Sequence, residues 1–237
     1  MTIENLNVSI YADGADVDEI RESAADPLIA GFTTNPTLMR AAGVDNYRDF
    51  ARQVLAVTGD RPVSFEVLAD DLREMERQAL EIATWGKHVQ VKIPITTVRG
   101  ETALPLVARL TAQGVVCNVT AMFTIDQVEE AVATLPKESS AILSLFAGRI
   151  ADTGVDPLPI MREAVEIASS HPDVAILWAS PRETLNIFQA DEVGCEIITC
   201  TRNLRAKFPI IGKPLDTYSR ETVEMFFHDA EAADYEV

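Results

Sequence analysis

One lysine stands where a charge is costly. In Val89-Gln90-Val91-Lys92-Ile93-Pro94-Ile95 an ammonium group interrupts an apolar, strand-forming run, and a buried strand tolerates it only if the charge is paired or its pKa falls. A desolvated lysine can be a neutral amine near neutral pH, able to attack a carbonyl and form a Schiff base. The plainer alternative is a lysine that snorkels to water or pairs with a carboxylate. The chain has only five lysines, Lys87, Lys92, Lys137, Lys207 and Lys213, so one inside a strand carries weight. Other residues able to bind or transfer protons stand at the ends of apolar runs: Asp13, Asn35, Glu66, Asn118, Thr120, Ser144, Arg149, Ser180 and Arg182.

The segments that must position them alternate in character. Short β-branched runs are expected as strands at 8–12, 28–33, 63–67, 89–93, 115–119, 141–146, 174–179 and 196–199. Helical patterns lie between them. Leu72, Met75, Ala79 and Ile82 form one apolar face. Thr124 to Gln127 has the capping-box pattern, and Asp156-Pro157 opens another helix. Further helices are expected at 16–25, 46–57, 102–112, 181–190 and 219–233. Eight strands alternating with helices over 237 residues read as a (β/α)8 barrel, with a doubly wound open sheet as the alternative. In a barrel the active site forms where the strands end. Seven consecutive strands then bring the polar residues to one rim.

Composition narrows the function classes. Hydrophobic residues make up 47% and charged residues 24% of the chain, ordinary for a soluble globular protein. No stretch approaches the roughly 18 to 20 apolar residues of a membrane span. Met1 to Ser9 lacks the basic start and apolar block of a signal peptide, so a cytoplasmic location is expected. Cys117, Cys195 and Cys200 fit neither a disulfide framework nor a common zinc spacing. A net charge of −17 argues against nucleic acid as a partner, so any phosphate must meet a local basic cluster. With no linker or low-complexity segment, one domain over residues 1–237 is expected.

Five segments carry a resemblance. Gly31-Phe32-Thr33-Thr34-Asn35-Pro36-Thr37-Leu38, Val91-Lys92-Ile93-Pro94, Asn118-Val119-Thr120-Ala121-Met122-Phe123, Ser144-Leu145-Phe146-Ala147-Gly148-Arg149-Ile150 and Ala179-Ser180-Pro181-Arg182 resemble, in order, the motifs of the transaldolase family. That family includes small fructose 6-phosphate aldolases. The resemblance implies Lys92 as the Schiff-base lysine, Asp13 as acid/base, and Glu66 with Thr120 holding a catalytic water. It implies Asn35, Asn118 and Ser144 as contacts to the hydroxyls of a three-carbon unit, and Arg149, Ser180 and Arg182 as the phosphate site. Glu66 together with Phe146 points toward transaldolase, since the dedicated aldolases tend to have glutamine and tyrosine there.

Taken singly, each residue has a plainer reading. Asp13 before Gly14 suits a turn, Asn35 before Pro36 suits a cap, Glu66 suits an arginine partner, and the arginines suit surface ion pairs. Gly14, Leu145 and Pro181 depart from the usual pattern, which leaves acceptor size and the anion pocket open.

The expected function is transfer of a dihydroxyacetone unit from a ketose phosphate to an aldose phosphate, without metal or organic cofactor. The alternatives are an aldolase using free dihydroxyacetone, a transaldolase for another anionic sugar, and a barrel that binds sugar phosphates without turnover. Residues 218–237 read as an amphipathic helix bearing Val223, Met225, Phe226 and Phe227. Small family members pack such a helix on a neighbouring subunit, so a homo-oligomer, pentamer or decamer, is expected.

Overall fold

A computed structural model describes residues 3–233. Its strands are β1 (Ser9–Asp13), β2 (Ile29–Thr33), β3 (Val63–Glu66), β4 (Val89–Pro94), β5 (Cys117–Met122), β6 (Ala141–Leu145), β7 (Val174–Trp178) and β8 (Ile197–Thr201). All pair in parallel in sequence order, and β1 also pairs with β8, closing the barrel. The (β/α)8 barrel is therefore the observed fold, and the open sheet is excluded.

Alternation along each strand builds two cores. Outward residues such as Phe65, Val91, Ile93, Leu143, Ile176 and Trp178 are buried beneath the helices. Within the barrel, Tyr11, Ile142, Leu177, Ala179 and Ile197 form a smaller apolar cluster with Phe146 and Ala175 beside it. Tyr11 fits because residue 31 is glycine: a Cβ there would come within 2.5 Å of the Tyr11 ring.

The helix starts follow the caps. Asp16, Asn46, Asp71 and Asp156 each accept backbone N–H bonds at the head of a helix, and Thr124 with Gln127 completes both halves of a capping box.

Several boundaries differ from those expected. β5 begins at Cys117 and runs to Met122, past the expected end at Val119. Its register slips between Val119 and Met122, where Ala121 has φ of +61°, so the end of this strand is bulged. The helix expected at 181–190 is Leu185–Val193, because Asn186 Oδ1 first accepts from the backbone N–H groups of Arg182 and Glu183 in a preceding turn. The helix expected from 102 starts at Leu104, since Thr102 bridges to Thr96. Three short helices, Pro36–Ala41, Ala147–Asp152 and Arg202–Arg205, were not expected. At four to six residues they are too short to show a period.

The last helix, Leu215–Ala233, begins before residue 218 and has no buried residue. It exposes Leu215, Tyr218, Val223, Met225, Phe226 and Phe227. Residues 234–237 of the expected helix lie outside the described residues. Among the described residues no helix is long and apolar enough to cross a membrane.

Candidate active site

Strand register sets the site. Glu66 on β3 is paired with Lys92 on β4, Lys92 with Asn118 on β5, and Asp13 on β1 with Thr33 on β2 and Thr201 on β8. Their side chains line one cavity of about 460 Å³ at the C-terminal ends of the strands, together with Asn35, Thr120, Ser144, Phe146, Arg149, Ser180 and Arg182. All eleven residues singled out from the sequence thus border the same space.

Lys92 is buried. Its Nζ donates to the Thr34 carbonyl at 3.0 Å and lies 3.3 Å from Glu66 Oε2. The carboxylate partner is real, but the side chain does not snorkel to water, being 9% exposed. Glu66 is itself fixed from behind, because the Tyr47 hydroxyl donates to its backbone carbonyl at 2.9 Å. Burial pushes the Asp13 carboxyl above its ordinary range, opposed by the Lys92 charge and by the Thr33 hydroxyl, which donates to it at 2.8 Å. Asp13 is thus a strand residue held against β2 and not a turn residue.

Thr120 Oγ1 is buried and has no hydrogen-bond partner among the described residues, which leaves it able to bind a molecule in the cavity. Asn118 and Ser144 bond each other, the Ser144 hydroxyl donating to Asn118 Oδ1 at 2.6 Å. Asn35 does cap a helix, its Oδ1 accepting from Leu38 N–H at 3.0 Å. The plainer reading holds for that atom, while the residue still borders the cavity.

The cationic side is built differently. Arg149 lies over the Phe146 ring, 5.0 Å from guanidinium carbon to centroid. Arg182 is engaged by Asp152 through Nε at 3.0 Å and through Nη2, and these hydrogen bonds hold the Asp152 carboxyl below its usual range. The surface ion pair considered for an arginine is therefore realised at Arg182. Two backbone features join the arginine-bearing segments. Ser180 has φ of +61° directly before Pro181, a strained conformation for a residue with a side chain. A Cβ at Gly148 would fall 1.5 Å from the Ser180 carbonyl oxygen, so only glycine lets the segment before Arg149 approach the one before Arg182.

Sequence reasoning missed Ser64, Gln90, Tyr47 and Asp152, and it gave no role to Thr34, whose carbonyl accepts from Lys92. A signal existed for two of them: Ser64 and Gln90 stand two residues before Glu66 and Lys92, and so share the inner face of their strands. Among the described residues no group of three His, Cys, Asp or Glu side chains is placed to hold a metal ion.

The barrel is similar to solved barrels of low identity. It matches a putative phosphonomutase from Burkholderia cenocepacia with a TM-score of 0.56 at 11% identity, covering 96% of each chain. It matches dihydrodipicolinate synthase from Rhodopseudomonas palustris with a TM-score of 0.50 at 13% identity, covering 97% of this chain and 81% of that one. These support the fold alone. Sequence relatives are more specific. A probable transaldolase of Roseiflexus castenholzii is 36% identical over 194 residues, 81% of this chain and 85% of that protein. One of Symbiobacterium thermophilum is 32% identical over 230 residues, 95% and 98% of the two chains. The family model for transaldolase/fructose-6-phosphate aldolase matches residues 10–237. A barrel whose sequence matches that model over nearly its whole length belongs to the transaldolase/fructose-6-phosphate aldolase family.

Proposed function

We propose that the protein transfers a dihydroxyacetone unit from a ketose phosphate to an aldose phosphate through a Schiff base at Lys92. The observation that carries this reading is a buried amine, 3.3 Å from a carboxylate, facing a cavity that has arginines at its mouth. Lys92 must shed a proton before it attacks the C2 ketone, and Glu66 is the base in reach. Attack gives a carbinolamine, and loss of its oxygen as water gives the protonated imine. A water held between Glu66 and Thr120 would carry those protons.

Asp13 then takes the C4 hydroxyl proton while the C3–C4 bond breaks. The bond's electrons pass into the imine, and an aldose phosphate leaves. The resulting enamine waits for a second aldehyde, held by Asn35, Asn118 and Ser144. Addition reverses these steps, and water releases the product from Lys92. Arg149, Ser180 and Arg182 would take the terminal phosphate.

One observation favours a second reading. Asp152 already occupies Arg182, which weakens the hold on an incoming phosphorylated aldehyde and suits an aldolase that releases free dihydroxyacetone. Borohydride trapping with fructose 6-phosphate should label the protein at Lys92 and leave Lys92→Ala unlabelled; label at another lysine would overturn the mechanism. Turnover of the same donor with and without erythrose 4-phosphate separates the readings, because transfer requires the acceptor.

The exposed face of Leu215–Ala233 extends this proposal to assembly. Phe226 and Phe227 are 62% and 60% exposed, more apolar surface than a lone helix should present. Packing of residues 218–237 on a neighbouring subunit in a pentamer or decamer would cover them. A monomeric mass by light scattering would rule this out.

A further inference from the structure

Beneath the cavity runs a hydrogen-bond chain whose outer members border the cavity and whose inner members do not. The Ser64 hydroxyl donates to Gln90 Oε1 at 2.8 Å, Asn118 Nδ2 donates to Ser64 Oγ at 3.1 Å, and the Ser144 hydroxyl donates to Asn118 Oδ1 at 2.6 Å. Asn118 and Ser144 line the cavity. Ser64 lies fully buried below them, and Gln90 is half-buried one strand over.

Counting hydrogens fixes the direction of the chain. A serine hydroxyl has one proton and an amide oxygen none. Gln90 presents its amide oxygen to Ser64, whose hydroxyl donates to it. The Ser64 proton must then point at Gln90, so Ser64 has only lone pairs for Asn118. The Asn118 group facing Ser64 must therefore be its NH₂, which turns Oδ1 to Ser144 and consumes the Ser144 proton. Ser144 is left with lone pairs, and Asn118 with one spare N–H. Reversing Gln90 would reverse every bond: Ser144 would regain a proton to donate, and the Asn118 NH₂ would turn toward it.

We propose that Ser64 and Gln90 are positioning residues that set the orientation of the Asn118 amide, and thereby which cavity group donates and which accepts toward the donor sugar. The proposal rests on the reading of Asn118 and Ser144 as contacts to the three-carbon unit. A polyol offers both donors and acceptors, so binding survives a wrong polarity but weakens.

The test compares Ser64→Ala, Gln90→Leu and Ser64→Thr in steady-state transfer, with activity scaled to the borohydride-trappable fraction. Ser64→Ala and Gln90→Leu are expected to raise the donor KM about fivefold to tenfold, the worth of a neutral hydrogen-bond contact. The acceptor KM should not move. Ser64→Thr, which restores the hydroxyl, should lie within about twofold of the parent protein. A merely structural role would lower the trappable fraction and leave KM alone.

The Asn118 side-chain amide resonance, identified by its loss in Asn118→Asp, is the second readout. It should shift in both Ser64→Ala and Gln90→Leu whatever the substrate. Should Ser64→Ala not fold, Gln90→Leu decides. Unchanged donor KM together with an unmoved resonance would overturn the positioning role while leaving the Lys92 chemistry intact. Absence of any trapped adduct in the parent protein would instead remove the functional reading, and the resonance would still judge the positioning.

Discussion

Lys92–Glu66 at the barrel floor and Arg182–Asp152 at its rim are both cation–carboxylate pairs bordering one cavity, but they sit in different media. The first pair is 9% and 15% exposed at its two side chains, the second 48% and 52%. At the floor each charge has lost most of its water, so the partners act on each other with little screening, and Asp13 on β1 feels Lys92. At the rim water screens the pair, and the carboxylate acts as a competitor for whatever anion approaches Arg182. Proximity is common to the two pairs, and burial separates their roles.

The sharpest way to break this contrast is Glu66→Gln. It keeps the shape and removes the base within reach of Lys92. A fall in kcat of about 10²- to 10⁴-fold is expected, the range for a general acid/base group, with the donor KM little changed. A drop below about tenfold would mean that proton transfer does not need the floor pair.

Arg182→Ala should act on binding instead. The KM for fructose 6-phosphate should rise about 10- to 100-fold, the worth of a charge-assisted contact, and the thermal midpoint should hardly move. The same loss with unphosphorylated dihydroxyacetone would take Arg182 out of the phosphate site.

What the sequence revealed divides along the same line. The floor was legible because a lysine inside a β-branched run is chemically odd, and because strand alternation places Glu66, Lys92, Asn118 and Ser144 on one face. The same alternation would have shown Ser64 and Gln90, had the inner face been read two residues below each candidate. The rim was less legible. Arg182 meets Asp152 thirty positions away, through a turn and a helix of six residues that leave no periodic trace. The left-handed backbone at Ala121 and Ser180 falls on residues that do not announce it, as glycine would. Strand ends also shifted by one to three residues, because hydrogen bonding and the bulge in β5 set them, and hydrophobicity does not.

Asp13→Asn tests the cost of the floor. Burial raises this carboxyl, so the folded protein holds the proton more tightly than the unfolded chain. Its stabilising share is therefore present below the ordinary carboxylate pKa and is lost as pH rises through the raised value. At neutral pH the buried carboxyl is a net cost, and Asn removes it. The thermal midpoint of Asp13→Asn should exceed that of the parent protein at pH 7 to 8, and the gap should close toward pH 4. Activity should fall in the same variant, a trade of stability for function. A variant no more stable at neutral pH would show that Lys92 and Thr33 already offset the burial.

Asp152→Asn should give the smallest effect, and its sign decides what the rim pair is for. The hydrogen bonds from Arg182 lower the Asp152 pKa, so the pair persists from neutral pH downward until that depressed value is reached. Under assay conditions the carboxylate therefore competes fully for the guanidinium. Removing its charge should lower the KM for a phosphorylated donor about twofold to fivefold at low ionic strength. The difference should shrink as salt screens both interactions. Unphosphorylated dihydroxyacetone should not respond. A KM that rises instead would mean that Asp152 holds Arg182 in the pose the phosphate needs, making the rim pair a brace, as Tyr47 and Thr34 brace the floor.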